Sequence, residues 1–131
     1  MLKTKVLIVD DEIDYLSVMR ERLESWGYRV ILAQGGKEGL AAAKEKSPDI
    51  VILDYFMPDL DGVAVLKAIR KFNKGLAVIM LTSHADIKNI KGAQELGVSA
   101  FIPKLSAYSD VQASLKSALD IIQKNIENKK G

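Results

Sequence analysis

The sequence contains no cysteine and only one histidine among its 131 residues. The absence of cysteine excludes disulfide bonds and thiolate-ligated metal sites. The single histidine, His84, cannot form a histidine-ligated metal site alone. No apolar run approaches the roughly 20 residues that a membrane-spanning helix requires, and residues 1–5 lack an apolar signal region. We therefore expect a cytoplasmic protein with no membrane partner.

Neither sign of charge dominates the chain. The net charge of +2 is too small to indicate nucleic acid binding, and none is expected. Hydrophobic residues make up 48% and charged residues 27%, which is the balance of an ordinary globular protein. The length fits one domain, so we expect a single domain over residues 1–131 with its core at about residues 5–126.

Apolar runs typical of strands alternate with segments of helical periodicity along the chain. The strands are predicted at residues 5–9, 28–33, 50–53, 77–81 and 100–102. The helices are predicted at residues 12–26, 37–46, 62–72, 85–96 and 109–128. Such alternation is typical of parallel βαβ units with right-handed crossovers. It predicts a three-layer α/β fold, in which five helices cover a doubly wound five-stranded parallel sheet of order 2-1-3-4-5.

Four of the predicted strands end in residues suited to phosphoryl chemistry. They are Asp10 and Asp11 after the first strand, Asp54 after the third, Thr82 after the fourth and Lys104 just after the fifth. The C-terminal ends of parallel strands meet in one crevice, where such folds bind ligands. An acid pair, a lone acid, a hydroxyl and an ammonium in one crevice predict a metal-assisted aspartyl-phosphate site.

Each of these residues also has an ordinary structural explanation. Asp11 could cap the first helix, and an acid such as Asp54 is common at a strand end. Thr82 suits a strand, and a lysine such as Lys104 is ordinarily solvated. Together, however, the three carboxylates would repel one another unless a cation such as Mg²⁺ is bound. The cation would leave Asp54, at the centre of the sheet, free to attack phosphorus.

Four motifs together resemble the receiver domain of two-component response regulators. They are VDDE at residues 9–12, LDYFMPDLDG at 53–62, MLTS at 80–83 and AFIPK at 100–104. The resemblance extends from Val6 to about Ile126 and implies the flavodoxin-like fold of chemotaxis regulators. It implies a signalling switch rather than a conventional enzyme. Asp54 would accept a phosphoryl group from a phosphohistidine on a sensor histidine kinase or phosphotransfer protein.

The resemblance also implies a ligand set for Mg²⁺ or Mn²⁺. Asp11 and Asp54 would bind the ion directly with the backbone carbonyl of Phe56, while Asp10 would act mainly through water. Phe56 lies two residues after the acceptor, and His84 follows the fourth strand. We expect these two bulky side chains to restrict the attacking water and to slow hydrolysis of the phosphorylated state.

The remaining implied residues would respond to the phosphoryl group. Lys104 and Thr82 would contact its oxygens, and the ring of Phe101 would turn inward as the Thr82 hydroxyl moves. The face made by the fourth helix, fifth strand and fifth helix would carry the change to a partner. Leu105 follows Lys104 where the family usually has proline in a cis bond, so the bond between them is expected to be trans.

Three other functions fit parts of the sequence. A phosphatase of the haloacid dehalogenase type needs a second acid two residues after its nucleophile. The only candidate for that acid is Glu12, and it is a poor one. A flavodoxin-like FMN module would need a phosphate cradle after the first strand, whereas the acids at residues 10–12 would repel phosphate. The main alternative is a degenerate receiver that acts as a phosphorylation-independent interaction module.

The motifs of the sequence do not identify the downstream target of such a receiver. No DNA-binding or catalytic domain is expected after Asn128. The chain is therefore expected to be a stand-alone receiver or part of a larger regulator or hybrid kinase. Its partners would be a downstream protein target or a separate output domain.

Overall fold

Strands and helices alternate along the chain in the computed structural model, which describes residues 3–83, 87–104 and 108–130. The strands are β1 (Lys5–Asp10), β2 (Arg29–Gln34), β3 (Ile50–Leu53), β4 (Ala77–Thr82) and β5 (Ala100–Pro103). The helices are α1 (Ile13–Ser25), α2 (Gly36–Glu45), α3 (Gly62–Phe72), α4 (Ile87–Glu95) and α5 (Tyr108–Lys130). Each bound lies within two residues of its predicted position, except that the predicted start of α4 at residue 85 lies outside the described residues. No helix among the described residues is long and apolar enough to cross a membrane.

The strands form one parallel sheet of order β2-β1-β3-β4-β5, as predicted. The strand order reverses at β1 and β3, so the C-terminal ends of these neighbours lie beside the topological switch point. β5 is an edge strand, and its last residue, Pro103, lies beside Thr82 of β4. Proline is tolerated there because an edge strand has one side without a strand partner.

Apolar side chains cover both faces of the sheet and give the fold its three layers. On one face, alternate residues such as Val6 and Ile8 pack against α1 and α5. On the other face, their neighbours Leu7 and Val9 pack against α2, α3 and α4. Burial on both faces explains why the central strands are continuous apolar runs rather than alternating ones.

Arg70 of α3 joins the ends of two neighbouring helices. Its Nε donates to the Leu96 carbonyl at 2.7 Å, and one terminal nitrogen donates to the Gly97 carbonyl at 3.1 Å, just beyond α4. The other terminal nitrogen donates to the Asn73 and Leu76 carbonyls at 3.1 and 2.8 Å. Burial lowers the pKa of the guanidinium from its ordinary value. These bonds satisfy backbone carbonyls in the segments that follow α3 and α4.

Candidate functional site

Acidic, hydroxyl and basic side chains meet at the C-terminal edge of the sheet. Asp10 and Thr82 end β1 and β4, while Asp54 and Lys104 directly follow β3 and β5. Backbone hydrogen bonds extend the sheet by one residue at these ends. The Asp54 N–H donates to the Val9 carbonyl at 3.0 Å, and the Lys104 N–H donates to the Thr82 carbonyl at 2.7 Å. The sheet edge therefore brings the predicted residues into one crevice.

Asp54 is buried, with only 7% of its surface exposed. Burial raises the pKa of its carboxyl to about 6, because the ionised form loses solvation, and repulsion from Asp10 acts in the same direction. The positive charge of Lys104 opposes this shift. Hydrogen bonds from the Thr82 side chain and the Phe56 backbone N–H also lower the pKa. The negative charge of the Asp54 carboxylate is thus only partly compensated by its neighbours.

Lys104 connects the end of β5 to the acid pair. Its Nζ donates to Asp10 Oδ2 at 3.0 Å, and the two side chains are 18% and 2% exposed. The other oxygen, Asp10 Oδ1, accepts the Glu12 N–H at 3.0 Å. Asp10 rather than Asp11 therefore satisfies a backbone donor at the start of α1. The interpretation of Asp11 as the helix cap is wrong, because the N-cap residue is Glu12.

Three consecutive acids form a cluster that could hold a metal ion. One carboxylate oxygen from each of Asp10, Asp11 and Glu12 lies within 4.8 Å of the other two. Asp10 is buried, Asp11 is half-buried and Glu12 is exposed, so an ion can reach the cluster from solvent. Carboxylate oxygens are the ligands that Mg²⁺ and Mn²⁺ prefer, and a divalent cation would relieve their repulsion. The donor set therefore fits such an ion.

The sequence prediction included Asp10 and Asp11 in this set but omitted Glu12. The available signal was that Glu12 directly follows two acids at a strand end. Asp54 does not belong to the cluster of three, although it is close enough to Asp10 for repulsion between them to affect its pKa. The predicted ligation by Asp54 and by the Phe56 carbonyl stays a prediction.

Two aromatic side chains belong to elements of the crevice. Phe56, two residues after Asp54, is 58% exposed. Phe101 of β5 is half-buried and packs against the core beneath α2, α3 and α4. His84 and Leu105 lie outside the described residues. The roles of Phe56 and His84 in hydrolysis and of Phe101 in switching therefore stay predictions.

The loop between β3 and α3 is held by contacts that local sequence patterns did not reveal. Asp59 accepts the Gly36 and Lys37 N–H groups at 3.0 and 2.9 Å, so it caps α2 from a distant segment. Gly62 permits a close approach, since a Cβ there would lie 2.5 Å from the Asp54 carbonyl oxygen. Asp59 thereby ties the loop to α2, and Gly62 lets α3 begin close to the Asp54 backbone.

Comparison with known proteins decides the family. The model of the response regulator receiver domain matches residues 6–116. The chain belongs to the response regulator receiver domain family. This receiver domain is 38% identical over 117 residues to the probable transcriptional regulator ycf27 of Guillardia theta, covering 89% of this chain and 46% of that protein. It is 32% identical over 114 residues to the transcriptional regulatory protein ZraR of Escherichia coli O157:H7, covering 87% and 26%, respectively.

A solved structure of another protein has the same fold as this receiver domain. The CheY-like response regulator receiver domain protein from Methanospirillum hungatei JF-1 superposes with a TM-score of 0.84 at 30% identity, covering 95% of this chain and 99% of that one. The receiver domain spans only about a quarter to a half of the curated relatives it matches. Receiver domains of this family are signalling switches of two-component systems and not conventional enzymes. Membership in the family therefore argues against the phosphatase and FMN-module interpretations.

Proposed function

We propose that this receiver domain is a phosphorylation-activated switch with Asp54 as the phosphoacceptor. The observation that carries the proposal is the buried, partly compensated carboxylate of Asp54 beside Lys104 and Thr82. A carboxylate oxygen of Asp54 attacks phosphorus while the bond from phosphorus to the donor imidazole breaks. The imidazole keeps the bonding electron pair and takes a proton, so the products are an acyl phosphate and a neutral histidine.

A divalent cation completes the site in this proposal. Mg²⁺ or Mn²⁺ would be held by Asp10, Asp11 and Asp54 with the Phe56 carbonyl, and Glu12 lies in the same acidic cluster. When bound, the ion supplies positive charge that offsets repulsion between the carboxylates and the anionic phosphoryl group. The fit rests on the clustered oxygen donors and on the opening of the cluster to solvent.

Lys104 and Thr82 change partners in the proposed reaction. The Lys104 ammonium now donates to Asp10, and the Thr82 side chain forms a hydrogen bond with Asp54. A phosphoryl group on Asp54 offers stronger, doubly charged acceptors to both side chains. Their movement would bias the packing of Phe101 and the face formed by α4, β5 and α5, where a downstream target or output domain would bind.

Two exposed apolar side chains lie beside the acids in sequence and suit a protein phosphodonor. Ile13 begins α1 two residues after Asp11 and is 61% exposed, while Phe56 is 58% exposed. Contact with another protein would remove the apolar surface of these two side chains from water, which is favourable. We propose that they help to dock a sensor histidine kinase or a phosphotransfer protein.

The direct test is incubation with Mg²⁺ and acetyl phosphate, followed by measurement of intact mass. We expect one phosphoryl increment in the wild type and in Asp14→Asn, an exposed acid on α1 that serves as the matched control. Asp54→Asn should show none, and a chelator should abolish labelling. A wild type without an increment, or labelling that survives Asp54→Asn, contradicts the proposal and favours the phosphorylation-independent interaction module.

A further experiment tests the predicted slowing of hydrolysis. The half-life of phosphorylated Asp54 is measured in the wild type and in the double variant Phe56→Asn, His84→Ala. We expect a longer half-life in the wild type, because both bulky side chains restrict the attacking water. A shorter half-life in the wild type would contradict that role.

A further inference from the structure

The ammonium of Lys104 has an aromatic neighbour in addition to Asp10. Its Nζ lies 3.9 Å from the centroid of the Tyr15 ring. This distance is well within the roughly 6 Å over which an aromatic face attracts a cation. The Lys104 side chain is only 18% exposed, and its Nζ lies 3.0 Å from Asp10 Oδ2. The Lys104 ammonium is therefore contacted both by an acid of β1 and by an aromatic ring of α1.

The position of Tyr15 suits it to limit the conformations of the Lys104 side chain. It lies in the first turn of α1, is half-buried and packs against the core between the sheet, α1 and α5. A ring fixed by packing provides a constant surface, whereas the flexible stem of a lysine otherwise samples many rotamers. The aromatic face attracts the charge through its quadrupole and uses no directed N–H bond. The ammonium therefore keeps donors available for an anion.

The acid and the ring respond differently to a bound cation. Asp10 belongs to the carboxylate cluster that fits a divalent ion, so its attraction for Lys104 competes with that ion. The Tyr15 ring lies outside the cluster, so a bound ion would not compete with the ring for the ammonium. Tyr15 is thus the neighbour that can place Lys104 during the reaction.

We propose that Tyr15 is a positioning residue that holds the Lys104 ammonium in the crevice beside Asp54, ready for an incoming phosphoryl group. This inference rests on the proposed function, because the phosphoryl group is the anion that Lys104 would meet. Tyr15 itself need not touch that group. Its effect on the reaction passes through Lys104 alone, and this restriction makes the proposal testable.

The kinetic test compares Tyr15→Leu, which removes the ring, with Tyr15→Phe, which keeps it. Phosphoryl incorporation from acetyl phosphate with Mg²⁺ is followed by intact mass, and thermal unfolding checks that each variant folds. We expect Tyr15→Leu to react about 3- to 10-fold more slowly than the wild type and Tyr15→Phe to stay within about twofold, as loss of one cation–π contact implies.

A Lys104→Met background shows whether the effect passes through the lysine. Tyr15→Leu should cause no further slowing there, because no ammonium is left to position. Equal slowing in both backgrounds, or failure of Tyr15→Phe to restore the rate, overturns the proposal.

A spectroscopic readout tests the contact without any phosphorylation. The Tyr15 ring should shift the Lys104 Hε resonances upfield in the wild type and in Tyr15→Phe, but not in Tyr15→Leu. Resonances at ordinary lysine positions in the wild type overturn the contact itself. A wild type that shows the shift but never incorporates phosphate contradicts the proposed function. Normal incorporation in both the wild type and Tyr15→Leu contradicts only the role of Tyr15.

Discussion

Replacing Asp54 with asparagine should stabilise the metal-free protein at neutral pH. Burial raises the pKa of this carboxyl from 3.8 to about 6. Between these values the folded state keeps a proton that the unfolded chain has released, so the free energy of unfolding falls as pH rises. At about 1.4 kcal/mol per pKa unit the full penalty is about 3 kcal/mol above pH 6. Asparagine carries no charge and avoids that penalty.

The assay is urea denaturation of the wild type and Asp54→Asn in chelator, from pH 4 to pH 7.5. We expect the variant to gain little at pH 4 and about 2–3 kcal/mol at pH 7.5, or about 5–10 °C in Tm. Mg²⁺ should narrow the gap at pH 7.5, because a ligand that binds only the folded wild type stabilises it. If the difference in the free energy of unfolding between the wild type and Asp54→Asn stays constant across this pH range, the reasoning is refuted.

Asp59→Asn is the matched control, since its pH dependence should have the opposite sign. Hydrogen bonds from the Lys37 and Gly36 backbone N–H groups lower the pKa of the Asp59 carboxyl. Its stabilising contribution is therefore present above the ordinary carboxyl pKa and is lost as pH falls through the lower folded-state value. Asparagine offers one acceptor oxygen in place of two, so we expect a loss of about 1 kcal/mol at pH 7.5.

Three further substitutions test the packing that supports the site. For each, the free energy of unfolding is measured by denaturation at pH 7.5, and the losses and gains below are changes in that free energy. Arg70→Lys should lose about 2 kcal/mol, because an ammonium cannot reach the four carbonyls that the guanidinium contacts; unchanged stability would contradict this. Gln112→Leu should gain about 1 kcal/mol, because its buried Oε1 has no hydrogen-bond partner among the described residues; a loss would show that the amide is satisfied. Gly62→Ala should lose at least about 2 kcal/mol, because its Cβ would lie 2.5 Å from the Asp54 carbonyl oxygen. The control Gly92→Ala, whose Cβ would meet nothing closer than 3.7 Å, should gain about 0.5–1 kcal/mol, and equal effects of the two substitutions would contradict the steric argument.

The sequence alone determined the elements, the sheet order and the crevice. A parallel strand buried on both faces must be a continuous apolar run, which is why residues 50–53 were predicted with the observed bounds. Right-handed crossovers then leave few possible topologies, and parallel strands deliver their C-terminal residues to one edge. Asp54, Thr82 and Lys104 could therefore be placed together from strand ends alone.

Only the tertiary structure decided which atoms meet at that edge. Asp59 caps α2, and Lys104 contacts Tyr15, across long separations in sequence. The pKa of Asp54 depends on burial and on charges brought from other strands. Local patterns constrain the backbone of each element, whereas such contacts depend on side-chain directions that are fixed only when distant elements pack together.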